Sequence, residues 1–475
     1  MMPITLNDEP SSYRDREARV FYDDAGGVCR ALSARALAEW DALRQTRFFQ
    51  QAIETGHVVR TAEVPDAEIA LTNVSGNWAG LLRHEVIPFV SYPFEWSFGM
   101  LQDAALLHLD LLAAALDEDF TLKDGTAYNL QWVGTRPVFI DVASLERLIA
   151  GRPWAGYRQF CQTFLYPLLL QAYKNVPFHP WLRGRLEGIS PQECWNLMSF
   201  RDVFRRGVPS HVWLHSWLQS RRTLDEVDST QALAAAGFRK DQIRANVQGL
   251  QRLVRGLRWS PVASAWSEYA GANSYSAADR QQKESFVRSA VQSRRWGLVW
   301  DVGCNTGNYS RIAAENSDQV VAIDADPLAI ERLYQSLKSQ LDGHHAPILP
   351  LVNNLTDLSG GLGWRGVERK ALANRGRPEL TLCLALVHHL VVGHGIPLRE
   401  LLTWFADLGT SLVIEFITKD DPMVQRLLRS RRDNYADYEP EVFDRLLSEM
   451  FDVVRTETLA SGTRKLYFAK ARTAS

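Results

Sequence analysis

The chain has 475 residues, 46% hydrophobic and 23% charged, which suits two or three folded domains and excludes a disordered or fibrous protein. A formal charge of −2 and a pI near 6.6 supply no long-range attraction for polyphosphate, which argues against nucleic acid as the main partner. Five scattered cysteines (Cys29, Cys161, Cys194, Cys304, Cys383) form no metal-ligand spacing, and the start lacks the regions of a signal peptide, so a metal-free protein of the reducing cytoplasm is expected.

Residues 1–265 read as one N-terminal domain, mixed α/β to about residue 144 and mainly helical beyond. The apolar helical stretch 106–116 contains His108 and Asp110 and falls short of the roughly 20 residues that cross a bilayer, so no membrane span is expected. Next come Leu122-Lys-Asp124-Gly-Thr-Ala-Tyr-Asn129 and Pro137-Val-Phe-Ile-Asp141. An Asp, an Asn five positions later and an Asp after the next strand resemble the kinase-like catalytic arrangement, with 93–96 and helix 100–116 standing for its hinge and helix. That resemblance implies ATP with Mg at Asp124, Asn129 and Asp141. Phosphoryl transfer also needs a small-lobe lysine and a glycine loop. No lysine precedes Lys123, and Gly26-Gly27 is not a G-x-G-x-x-G. Three readings stay open: retained nucleotide binding or kinase activity, a degenerate kinase-like domain serving substrate binding or assembly, and coincidence. The aromatic segment 154–174 has helical spacing and reads as core.

The polar stretch 269–280 marks a boundary, with a second domain at 266–475. From Trp296 short β-rich runs alternate with helical stretches, the pattern of a parallel sheet covered on both faces. Strands are predicted at 298–302, 320–324, 348–352, 380–386 and 411–417. Two more, at 451–457 and 465–470, have no long helix between them and read as an antiparallel pair at the sheet edge. Near the C-terminus Arg429, Arg431 and Arg432 are followed by Asp433, Asp437 and Glu439, which reads as a solvated helix face.

The first strand delivers Asp301-Val-Gly-Cys-Asn-Thr-Gly307 and then a helix. Gly303 and Gly307 allow a sharp turn and close approach of a ligand, and Asn305 tolerates left-handed backbone where a third glycine usually stands. Asp301 at the strand end would repel a pyrophosphate but can pair with the ammonium of a methionine moiety. The second strand ends in Asp324, 21 positions after Gly303, at the spacing where a carboxylate meets ribose hydroxyls. Asp326 before Pro327 reads as a helix cap. Asn354, after the third strand, is a candidate for the adenine amino group, the alternative being that Asn353 and Asn354 satisfy loop backbone.

These residues resemble a class I, Rossmann-like S-adenosylmethionine-dependent methyltransferase with a seven-stranded sheet, over 298–470. The resemblance implies S-adenosyl-L-methionine at Asp301, Gly303, Asn305, Gly307, Asp324 and Asn354, and a lead-in from Tyr269 to Lys283 that closes over it with Tyr275 in contact. The fourth strand runs into His388-His389, placing either imidazole where a general base would sit. The other reading has one capping the next helix and one packing beneath the loop. Glu415 on the fifth strand either meets substrate or pairs with an arginine. No Asn/Asp-Pro-Pro-aromatic tetrad and no loop cysteine nucleophile is present, so a small molecule or glycan is the expected acceptor. Over its full length, with Ser91-Tyr-Pro-Phe-Glu-Trp-Ser97, Lys123-Asp124, Phe139-Ile-Asp141, Glu415-Phe and Asp421-Pro-Met423, the chain is similar to the rhizobial nodulation-protein (NoeA-like) group of methyltransferases. That resemblance implies a cytoplasmic enzyme of specialised metabolism. The rivals are a bifunctional kinase and methyltransferase, a nucleic-acid methyltransferase and a non-catalytic scaffold. The oligomeric state is open, a homodimer being one candidate.

Overall fold

The computed structural model describes residues 5–65, 76–221, 239–260, 275–340, 346–429 and 435–472, with 69, 72 and 74. The 269–274 part of the lead-in and Arg431, Arg432 and Asp433 lie outside the described residues. The chain divides into two units, Met1–Ser260 with Gly361–Arg369, and Pro261–Gly360 with Lys370–Ser475.

The first unit opens with an antiparallel sheet of β1 (Leu6–Asp8), β2 (Ala18–Asp23), β3 (Val28–Leu32), β4 (Thr61–Glu63) and β5 (Gly80–His84), in the order β1-β2-β3-β5-β4. Alternation along the strands turns Cys29, Ala31 and Leu81 to one face, where they pack with Phe21 and Leu6. Helix α1 (Phe98–Asp117) follows, capped by Ser97, whose Oγ accepts the Met100 amide. At 20 residues α1 is longer than the stretch read from sequence, and by length and composition it is apolar enough to cross a membrane. Of its most apolar window 67% is buried inside the protein, the condition of a core helix. Short strands β6 (Phe120–Leu122) and β9 (Leu145–Arg147) pair with each other, and β7 (Leu130–Val133) forms a hairpin with β8 (Arg136–Phe139). The turn Gly361–Arg369 belongs to this unit, where Glu368 accepts from Tyr13 Oη and Arg14 Nε and the Arg369 guanidinium lies 4.1 Å from the Tyr128 ring centre.

The second unit is built on one seven-stranded sheet. Its strands are β10 (Trp296–Val302), β11 (Ser317–Asp324), β12 (Ile348–Val352), β13 (Leu380–Cys383), β14 (Ser411–Ile417), β15 (Phe451–Thr458) and β16 (Arg464–Ala471), in the order β12-β11-β10-β13-β14-β16-β15. All neighbours are parallel except β16, which runs antiparallel to β14 and to β15. Central strands buried on both faces explain the unbroken apolar run at Val320–Ile323 in β11, fully buried throughout. Helices α2 (Ala277–Val291), α3 (Asn308–Ala314), α4 (Pro327–Ser339), α5 (Leu398–Asp407), α6 (Pro422–Leu428) and α7 (Pro440–Met450) accompany the sheet. Strand β13 stops at Cys383, three residues before the end expected from sequence, because Ala385 takes a left-handed turn at φ +53°. Reversal of strand order between β10 and β13 opens a crevice at the strand tips, the place where open α/β sheets take ligands. This sheet order, with its antiparallel seventh strand, is the class I methyltransferase arrangement.

Candidate active site

A cavity of about 550 Å³ occupies that crevice. The turn after β10 holds Gly303, Asn305 and Gly307 at φ of +76°, +49° and +80°; Gly303 and Asn305 line the cavity, whereas Gly307, expected at the cofactor, shapes the turn without lining it. Gly307 is required twice over: besides its φ, an added Cβ would stand 2.5 Å from Leu333 Cδ1. Asn305 adopts the left-handed conformation expected of it, and its amide donates to Asp324 Oδ2 at 2.8 Å.

Asp301 and Asp324 end adjacent strands and both line the cavity. Asp301 is buried and accepts from Ser310 Oγ at 2.5 Å. Burial pushes its carboxyl up to about 6 against that hydrogen bond, and the charge of Asp324 adds to the rise. An acid left in this state gains from a cationic partner, as the ammonium of an amino acid would be. Asp324 Oδ1 accepts the Asp326 amide at 2.9 Å, so backbone N–H groups fix both oxygens at the cavity, where a hydroxyl donor can meet them. Burial raises its carboxyl too. Asp326 caps α4, its Oδ1 accepting from the Leu328 amide. The residues present therefore fit a sulfonium nucleoside with an amino-acid tail: an acid for the ammonium, an acid for the ribose and a turn that admits close approach.

Asn354 lines the cavity, but its Oδ1 accepts from the Thr356 amide at 3.0 Å and Thr356 Oγ1 at 2.8 Å. Both lone pairs are engaged, which leaves the Nδ2 donor to face a ligand. A donor suits a ring nitrogen of adenine and not its amino group, a correction to the contact expected from sequence. Tyr275 lines the cavity from the lead-in.

Of the paired histidines, His389 faces the cavity and His388 does not. His388 is fully buried, its ring 4.0 Å from that of His389, and burial holds it well below the usual imidazole range. It is removed from the candidate bases because nothing in the cavity reaches it. Burial, with the charge of His394, lowers His389 to about 4, so its imidazole is neutral at neutral pH and a weaker base than an exposed histidine.

Glu415 does not meet the cavity, so its catalytic assignment is corrected, while the alternative of an arginine partner holds in Arg464. The glutamate is fully buried on β14, and its main partner is a lysine: Lys283 Nζ donates to Oε2 at 2.7 Å. Tyr275 Oη donates to Oε1 at 2.9 Å, the Ala385 amide donates to Oε2 at 2.8 Å, and Arg464 Nη1 lies 3.6 Å from Oε1. Arg280 and Lys283, inside the lead-in but given no role of their own, line the cavity, as do Glu284, Tyr309 and His394, which sequence reading passed over. For Lys283 a signal existed: it falls on the apolar stripe of α2 with Phe286, Val287 and Ala290.

In the first unit Asp124, Asn129 and Asp141 come near one another. Ile140 donates its amide to Asn129 O at 2.9 Å, and burial with the nearby charge of Asp141 raises the Asp124 carboxyl. The Asp141 carboxylate, however, accepts from Arg30 Nη1 of β3 at 2.7 Å. The Arg30 guanidinium thus occupies one oxygen of the carboxylate that a magnesium ion would need. The trio as it stands does not fit Mg with ATP.

No protein-family model matches the chain. It is 34% identical over 460 residues to the nodulation protein NoeA of Rhizobium meliloti (strain 1021), covering 96% of this chain and 94% of that protein. Among solved structures it is similar to the N-methyltransferase NodS of Bradyrhizobium japonicum WM9, at 14% identity over 42% of this chain and 99% of that one, TM-score 0.30. Magnesium protoporphyrin IX methyltransferase (ChlM) of Synechocystis PCC 6803 with bound SAM gives 15% identity over 45% and 86%, TM-score 0.30. Structural scores this low add nothing to the topology seen directly. With a third of its residues identical across nearly the whole of both proteins, and a class I S-adenosylmethionine-dependent methyltransferase domain as its second unit, the chain belongs to the NoeA family of nodulation proteins.

Proposed function

We propose that this protein transfers the methyl group of S-adenosylmethionine to an oxygen or nitrogen of a small molecule or glycan, as a cytoplasmic enzyme of the specialised metabolism to which its relative's name points. The observation that carries the reading is the pair Asp301 and Asp324 on adjacent strand tips in one cavity, with three positive-φ residues in the turn beside them. The bound sulfonium supplies an electrophilic methyl and a neutral thioether as leaving group.

The protein's part is alignment and proton management. Asp301 and Asp324 fix the two ends of the donor, and the glycine turn sets its depth. Leu384, Leu386 and Leu390 keep the acceptor side apolar, which favours a reaction that disperses charge. His389, neutral and in the cavity wall, takes the proton that an oxygen or nitrogen acceptor loses as its lone pair bonds to carbon. Arg280, Glu284 and His394 supply polar groups at the same cavity for an acceptor rich in hydroxyls.

Calorimetry of the full chain with S-adenosylhomocysteine tests the donor half. Asp301→Ala and Asp324→Ala should each weaken binding at least tenfold, about 1.4 kcal/mol. Wild-type affinity in both variants would remove the reading. Labelled S-adenosylmethionine with extracts of the source organism would then identify the acceptor by its labelled product.

A further inference from the structure

Of the acids at or beside the cavity, Asp301 and Asp324 are explained by cofactor binding and Asp326 by capping α4, but Glu415 is not. Glu415 is buried outside the cavity, yet its four partners belong to four different places: Tyr275 in the lead-in, Lys283 on α2, Ala385 after β13 and Arg464 on β16. Two of these, Tyr275 and Lys283, line the donor end of the cavity, and a third, Ala385, is in its wall beside Leu384 and Leu386. Lys283 Nζ also donates to Tyr275 Oη at 2.9 Å and lies 4.6 and 4.8 Å from the ring centres of Tyr275 and Tyr309. The Arg464 guanidinium covers Tyr275 at 4.0 Å and is itself neutralised by Asp421 at 2.8 Å.

Ala385 gives the cluster its purpose. A non-glycine residue at φ +53° is held in an unfavourable conformation by its surroundings. The contact that reaches its amide is Glu415 Oε2, the same oxygen that receives the Lys283 ammonium. From this turn the chain runs directly into Leu386, His389 and Leu390, the acceptor wall. Desolvating two charges is costly and a buried pair seldom adds stability over an apolar one, so a pair kept here is better explained by geometry it imposes.

We infer that Lys283 and Glu415 are positioning residues for methyl transfer, a buried clamp that ties the tyrosine over the donor to the turn carrying the acceptor wall. The inference rests on the methyltransferase reading. Occupation of the donor pocket and the placement of His389 are thereby coupled through one carboxylate.

The test exploits the charge that Glu415 neutralises. Burial pulls the Lys283 ammonium below its usual range, and Glu415 is the main influence pulling it back. Facing the pair are Asp301, Tyr275, Tyr309, Cys383, His388 and Arg464. None of them titrates between pH 7 and 8.5: Asp301 and His388 lose their protons below that window, and Cys383, both tyrosines and Arg464 keep theirs above it. In Glu415→Gln that influence is gone, so Lys283 gives up its proton more readily than in the wild type. Affinity for S-adenosylhomocysteine, taken as a ratio to wild type at each pH, should then vary with pH in Glu415→Gln. The ratio should be flat in the double variant Glu415→Gln with Lys283→Met, which has no charge to titrate. Amide exchange of ligand-free Glu415→Gln should speed up at residues 384–390 while the strands of the sheet keep wild-type protection. A flat ratio in the single variant, or wild-type exchange at 384–390, overturns the inference while leaving cofactor binding intact. A wild-type protein that does not bind S-adenosylhomocysteine overturns the methyltransferase reading and this inference together.

Discussion

Asp301 is the residue whose ionisation most directly reports on the site. Its folded-state carboxyl sits at about 6, above the ordinary carboxylate range, so the folded protein holds that proton more tightly than the unfolded chain does. Its ionisation therefore costs stability, a cost that is absent below the ordinary range, grows as pH rises toward 6 and is complete above it. A cofactor ammonium reverses the preference, because it pairs only with the charged form. Affinity for S-adenosylhomocysteine should fall as pH drops through 6, by roughly tenfold at pH 5, and calorimetry should find no such fall in Asp301→Asn. Ala385 offers a second residue-scale check. Ala385→Val puts a β-branched side chain at φ +53° and should lose about 1–3 kcal/mol in urea unfolding, whereas Ala385→Gly should stay within about 1 kcal/mol of wild type. Asp301 and Asp324 were legible in the sequence because each stands at the end of an apolar strand at a set spacing from a glycine turn. Glu415 was not, since its partner Lys283 is 132 positions away and no local pattern links them.

At the scale of elements, the strands of the second unit could be read because both sheet faces are covered, so the central strands are mostly apolar, as at Val320–Ile323 of β11. The exception is instructive. Residues 380–386 read as one strand on hydrophobicity alone, but the backbone turns at Ala385, and that turn brings Leu386 and His389 to the cavity. Apolar side chains lining a pocket carry the same sequence signal as apolar side chains in a strand. The turn between β10 and α3 is tested through Gly307→Ala, which combines positive φ with a Cβ 2.5 Å from Leu333 Cδ1. It should lower stability by about 1–2 kcal/mol in thermal melts and weaken cofactor binding with it. In the first unit the helix extends beyond the 106–116 stretch because Ser97 caps it and Phe98, Met100, Leu101, Ala104 and Ala105 continue its buried face, with Gln102 and Asp103 off that face.

For the molecule as a whole, the two units make opposite predictions about ligands. S-adenosylhomocysteine at one hundred times its dissociation constant should stabilise the folded protein by about 2.7 kcal/mol, read as a raised melting temperature. Mg with ATP should produce no such rise, because Arg30 already neutralises Asp141. A clear rise with Mg and ATP, lost in Asp141→Asn, would restore the kinase-like reading of Asp124, Asn129 and Asp141. The motif itself was visible in sequence, but the arginine that answers it lies 111 positions upstream on another strand.

The turn Gly361–Arg369 has a practical consequence for anyone who would divide this protein at its sequence boundary. Those nine residues follow β12 and precede β13, yet they belong to the first unit, where Tyr13 and Arg14 serve the buried carboxylate of Glu368. A fragment cut near residue 265 would carry an orphaned acid and a loop folded against nothing. The chain crosses between its units three times, and a clean excision must remove or replace that middle loop as well as the first half.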